Sequence, residues 1–264
     1  LLSLFCFYYF AIDTWTSKNA FIDRRIFLDR NFALGLLLVL FLGAYWIVYL
    51  TILSGFLQKL AGYPVLDTGL ALMIQGASYA LGCYFAGKAF KHFHPPFLIM
   101  IGFGGVALAN WALSVMTPDF YISDFSFVAM LHGIGLGFIW VPLTLVTFST
   151  IPDRLKAVGT GLFSLQRNFG SSLGASLVVV FLLRETQANY SLFTERVSPF
   201  SEWVHQGLFL KILDGNNSLG LQNIKEEFIR QALMVSYAAE FKVLAIILIL
   251  AVIITAFLRV PNGE

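Results

Sequence analysis

Apolar runs long enough to cross a bilayer alternate along this chain with short polar loops. Residues 157–183, AVGTGLFSLQRNFGSSLGASLVVVFLL, contain a single charge, Arg167. A hydrocarbon core takes about 20 apolar residues in a helix. Comparable runs cover Phe32–Phe56, Gly69–Gly87, Phe97–Met116, Phe125–Thr150 and Phe241–Leu258, which makes six complete spans. They are too long for barrel strands of about 9 to 11 residues. Ahead of them, residues 1–11 are apolar up to Asp13 and have no basic stretch before them, so a signal peptide does not fit. They read as the end of a span whose beginning is missing, and the chain as a fragment. Residues 12–31 read as a cytoplasmic linker, with Asp29 or Asn31 capping the next helix. The pattern predicts an all-α integral membrane protein, with a six-span bundle over 32–264.

Polar residues inside the spans stand out. An arginine at mid-span costs about 2.5 to 3.5 kcal/mol on insertion scales, so Arg167 is expected to have a partner or to line a wet cavity. Gly170 and Gly174 follow it at i+3 and i+7, a small face that lets another helix approach closely. Tyr45 and Tyr49 share a face at i, i+4. Aromatic belts lie at the interface, and Tyr45 is too deep for one, which makes it a pocket candidate. Gln75 lies beside Ser78 and Tyr79; an amide in lipid must find a hydrogen bond, so Gln75 faces protein or water. His132 precedes glycines at 133, 135 and 137, then Trp140 and Pro142. It either carries protons or simply bonds a neighbouring helix. Pro142 cannot donate and should kink its helix, freeing a carbonyl near Phe138 and turning Trp140 to the cavity.

Composition narrows the function. The chain is 58% hydrophobic and 12% charged, against about 25% charged for a soluble domain. The net charge of +2 comes from loop residues and implies no nucleic-acid partner. Cys6 and Cys83 lie in apolar runs and suggest neither a disulfide framework nor a metal site. His92 and His94 lie in a solvated basic loop without acid or thiol, so no metal is expected. The complete spans hold no interior Asp or Glu and no nucleophile or metal set, so an embedded enzyme is not expected. Loops 12–30, 88–96 and 150–156 hold four, two and two basic residues; loops 57–66 and 117–124 hold one and none. The basic loops are therefore expected in the cytoplasm. Residues 184–240 read as a long external loop with two amphipathic pieces, Glu202–Leu213 and Leu221–Val235, lying on the membrane or touching a partner.

A shift of 92 residues places Thr68-Gly69-Leu70 on Thr160-Gly161-Leu162, Leu81-Gly82 on Leu173-Gly174, and Gln75 on Arg167. The second and fifth spans share a pattern yet cross in opposite directions. Inverted three-plus-three repeats within six spans describe the major facilitator fold and put Gln75 and Arg167 at matching depths near the midplane.

Several stretches carry a resemblance: FIDRRIFLDRNFALG ahead of the first complete span, Ala61-Gly62-Tyr63 with Gly69-Leu70, Trp140-Val141-Pro142-Leu143-Thr144, Gly161-Leu162 through Arg167 and Gly174, and Val197-Ser198-Pro199-Phe200. In order and spacing the chain resembles the C-terminal half of the EmrB/QacA-type drug:proton antiporters, the fourteen-span branch of the major facilitator superfamily. The resemblance implies a secondary efflux transporter of the inner membrane. It would export small amphipathic compounds in exchange for protons and need no cofactor beyond the proton gradient. Tyr45, Tyr49, His132 and Trp140 would line a cavity, Gln75 and Arg167 would reach it, and Arg167 would bias local pKa values or bind an acid in the N-terminal half. A periplasmic adaptor (membrane fusion) protein could dock on 184–240, and siderophore or metabolite export is the rival activity. The family's basic loop after the second complete span is reduced here to Gly87-Lys88.

Overall fold

The computed structural model of the chain describes residues 24–116, 122–196 and 218–258, with Phe5, Tyr8 and Ile12 as isolated positions. A short 3-10 turn, Arg24–Leu28, leads into α1, Arg30–Gly55, which runs on through a π-helical turn, Phe56–Leu60. The remaining helices are α2, Val65–Ala89; α3, Pro95–Val115; α4, Ile122–Ser149; α5, Asp153–Arg196; and α6, Ser218–Thr255. Each is long and apolar enough to cross a membrane, and the described residues contain no strand. The partial span over 1–11, most of the 12–31 linker and the piece at 202–213 lie outside the described residues.

Asp29 is the cap of α1. Its Oδ1 accepts the Phe32 N–H at 2.8 Å and the Thr150 hydroxyl at 2.7 Å. One carboxylate thus satisfies a free helix-end donor and ties the start of α1 to the end of α4. Ile26, Phe32, Ile151 and Phe163 bury one another at the same end. The first and third basic loops therefore lie on one side of the bundle. Pro95 opens α3, where its missing N–H costs nothing. Gly62, at φ 72°, turns the chain out of the π segment in a conformation that favours glycine.

The packing order follows the repeat. α2 lies along α4, α5 lies along α1, and α3 packs on both α4 and α6. The middle helix of each triplet thus packs on the first helix of the other. Glycines make the close approaches. A methyl at Gly133 or Gly137 would strike the backbone of α2, and one at Gly135 would meet Val106 and the Gly102 carbonyl of α3. Positions i and i+4 face one neighbour and i+2 the other, so alternation lets α4 wedge between two helices. On α5, Gly170 and Gly174 press on the backbone of α1 at Leu40 and Ala44. The small face predicted there is a packing seam. α4 continues through Pro142, which is buried within it.

Helix covers both ends of the segment expected as an external loop. α5 has 44 residues and α6 has 38, about 66 and 57 Å at 1.5 Å per residue, against a hydrocarbon core of about 30 Å. Both ends of the polar segment are therefore continuations of membrane helices. The expected amphipathic piece at Leu221–Val235 is the opening of α6, not a separate surface helix.

Coverage is uneven. In their most apolar windows, α1, α3 and α4 are 50 to 56% buried, whereas α2 is 28% and α5 only 17% buried. α2 and α5 are the least covered helices of the bundle.

Candidate functional site

Four helices bring their polar side chains to one place in the core. Tyr45 and Tyr49 come from α1, Gln75 from α2, Asn110 from α3 and His132 from α4, and all are buried. The imidazole is the hub. Its Nε2 bonds Tyr45 Oη at 2.5 Å, and its Nδ1 bonds Gln75 Nε2 at 3.0 Å. Tyr49 donates to Gln75 Oε1 at 3.4 Å, and Asn110 Nδ2 donates to Tyr45 Oη at 2.8 Å and to the Val106 carbonyl at 2.8 Å. The Tyr49 ring stacks on the imidazole with centroids 3.8 Å apart and planes 10° from parallel. Unpaired polar groups in an apolar interior cost several kcal/mol, so these contacts hold four helices in register as well as to one another.

The hydrogen bonds run as a chain that reads in either direction. In one, Tyr49 donates to Gln75 Oε1, Gln75 Nε2 donates to Nδ1, and the Nε2–H of His132 donates to Tyr45. In the other, Tyr45 donates to Nε2, the Nδ1–H donates to Oε1 of a rotated Gln75 amide, and its NH2 donates to Tyr49. Each direction keeps the imidazole neutral, on opposite tautomers, and leaves one phenol proton unpaired at the end of the chain. The cluster can thus reverse its polarity without a charge entering the core.

Tyr45, Tyr49, Gln75 and His132 fill a closed core, because four helices converge there and their side chains satisfy one another. The bond from His132 to neighbouring helices is now explicit. The open depression lined by Phe85, Lys88, Ala89, His92 and Phe138 lies at the end of α2 instead.

Arg167 is exposed, although its backbone is in the seam: its carbonyl lies against Gly43. The guanidinium sits over the Trp140 ring, 5.7 Å from the centroid, and Trp140 in turn meets Phe163 edge-on. Among the described residues Arg167 pairs with no carboxylate. Gly170 and Gly174 turn to α1 while the Arg167 side chain turns to the α2/α5 face. Gln75 and Arg167, matched by the repeat, occupy different environments.

One buried acid contradicts the sequence reading. Glu240, placed at the end of the external loop, lies inside α6 with 3% exposure, and among the described residues neither carboxylate oxygen has a hydrogen-bond partner. A usable signal was present: no glycine or proline occurs between Gly220 and Pro261, so nothing stops the last helix before Glu240. Asn110, which the sequence reading did not single out, could have been found by the rule that placed Gln75.

The Major Facilitator Superfamily family model matches residues 1–175. The chain belongs to that superfamily. It is similar to the probable multidrug resistance protein EmrY of Escherichia coli (strain K12), 24% identical over 250 residues, covering 93% of this chain and 48% of the relative. It is similar to the multidrug export protein EmrB of Haemophilus influenzae, 22% identical over 202 residues, covering 76% of the chain and 40% of the relative. It is also similar to the fatty acid resistance protein FarB of Neisseria gonorrhoeae, 23% identical over 206 residues, covering 78% and 41%. The chain spans at most about half the length of these relatives.

Superfamily transporters set two six-helix halves about an axis along the membrane normal, with substrate sites near the midplane. The described residues of this chain form a six-helix bundle, and the chain is a multi-pass membrane protein of that superfamily. Its least covered helices, α2 and α5, carry Tyr79 and Arg167.

Proposed function

We propose that the chain is the C-terminal half of a proton-coupled multidrug exporter in the inner membrane, and that a second six-helix half meets its α2/α5 face. The observation that carries this reading is Arg167, exposed on that face over Trp140 with no acid beside it among the described residues. A cation facing lipid is costly, whereas one facing a wet cavity between two halves is solvated and free to bind substrate or an acid of the other half. The incomplete coverage of the relatives supports the same arrangement. Trp140 and Tyr79 add aromatic surface for an amphipathic substrate, and the His132 cluster holds the helices that carry them. Transport of this kind uses no bound cofactor and no covalent chemistry.

A second reading concerns the substrate. An unpaired guanidinium favours anionic amphipaths, such as fatty acids, and one similar relative is named for fatty acid resistance. Efflux of paired cationic and anionic amphipaths by the whole protein separates the two. Arg167→Ala should reduce efflux to the level of cells without the transporter while leaving expression near normal. Arg167→Lys should recover only part, because lysine keeps the charge and loses the planar fork. If anions are the substrates, Arg167→Ala abolishes their export and spares the cations. Wild-type efflux of every compound by Arg167→Ala would refute the role of this residue.

A further inference from the structure

The α5–α6 contact contains a polar cluster separate from the His132 core. Asn189 Nδ2 donates to Ser236 Oγ at 3.1 Å. Because α5 leaves and α6 returns, one turn further along this contact brings Glu185 and Thr186 of α5 towards Glu240 of α6. The Glu185 charge acts on Glu240, and Tyr237, one turn from Glu240, sets its hydroxyl against Gly55. Two buried groups remain without a partner: the Glu240 carboxyl, through both oxygens, and Thr186 Oγ1.

Cations do not answer this. Arg184 on α5, Arg230 and Lys242 on α6, and Lys59 on the π segment are all exposed, and among the described residues no ion pair reaches Glu240. α3, which also packs on α6, has no titratable side chain from Pro95 to Val115. α1 contributes Tyr45 and Tyr49, both engaged in the His132 cluster. Among the described residues, the one charged group that acts on Glu240 is therefore of like sign. An ionised carboxylate buried without a partner is among the most expensive arrangements in a protein, and such a group neutralises instead. Two nearby carboxyls cannot both ionise cheaply, so one of the pair keeps a proton.

We propose that Glu240 is a proton-binding site at the α5–α6 contact, with Glu185 as its partner carboxyl. The carboxyl is neutral while the two helices exclude water, and hydration of the contact releases the proton. The site does not depend on the transport reading above, because it rests on the burial of one side chain.

Infrared spectroscopy of the whole protein in lipid vesicles tests it. The wild-type minus Glu240→Gln difference spectrum at neutral pH should contain the carbonyl stretch of a protonated carboxyl, and alkaline pH should remove it. Glu185→Gln should keep this band and move its disappearance to lower pH, because a neighbouring like charge is gone. The Glu185 variant changes a partly exposed position and reads the site even where Glu240→Gln fails to fold. Absence of the band at neutral pH, or its titration unchanged by Glu185→Gln, overturns the proposal. Displacement of the band by sodium or calcium chloride at fixed pH also overturns it, by making the ligand a metal cation.

Discussion

The two buried polar clusters of this bundle solve one problem in opposite ways. Around His132, side chains from four helices supply donors and acceptors to one another, and the chain of bonds closes apart from Asn110 Oδ1 and one phenol proton. Around Glu240 the neighbours are another acid, a threonine hydroxyl without a partner and a phenol set against Gly55. The first cluster is a structural joint whose polarity can reverse. The second is a group held at a cost in one protonation state. Polar burial alone therefore does not mark function; the balance of donors and acceptors distinguishes a joint from a site.

Stability measurements can break that comparison, read as unfolding midpoints in detergent. The largest effect is expected from His132→Leu, which leaves Gln75 and Tyr45 without their shared partner. A loss of about 3 kcal/mol fits two stranded buried groups at roughly 1 to 3 kcal/mol each. An unchanged midpoint would mean that the cluster is no joint. Glu240→Leu should act in the opposite direction and stabilise the protein by about 1 kcal/mol, since an apolar side chain replaces an unpaired polar one. Marked destabilisation by this change would show that Glu240 has a partner and that the contrast is false. Tyr49→Phe should cost least, about 0.5 kcal/mol, because it removes one long hydrogen bond and keeps the stack on His132. A cost as large as that of His132→Leu would place the hub at the phenol rather than the imidazole.

The seam between α1 and α5 shows why some residues were legible and others were misread. Gly170 and Gly174 announced a close approach, and the approach is there, against Leu40 and Ala44. Arg167 lies seven residues before Gly174, about 20° away on the helix at 100° per residue, and was read with the glycines. Its backbone carbonyl does help to form the seam, but the long side chain leaves it and ends over the Trp140 ring. The same limit applies to Tyr45, Tyr49, Gln75 and His132. Each had to face something polar in an apolar span, but that argument does not say whether the polar surface is a cavity or three other side chains.

The sequence alone determined that this is an all-helical membrane protein, with the six membrane-length helices found among the described residues, because helix length and hydropathy answer to the bilayer and not to neighbours. The alternating glycines of α4 and a cap at Asp29 or Asn31 were also readable, since each depends on residues close along the chain, and the 92-residue repeat was readable by comparing the sequence with itself. Tertiary structure decided what closed around His132, which way Arg167 turned, and that Glu240 is inside a span. Those outcomes depend on which helices lie beside one another, and a hydrogen-bond partner from a distant span leaves no periodic trace in the sequence. The ends of α5 and α6 belong to the same class. Their polar flanks read as loop, and helix–helix contacts such as Asn189 with Ser236 hold them as helix past the point where hydropathy stops.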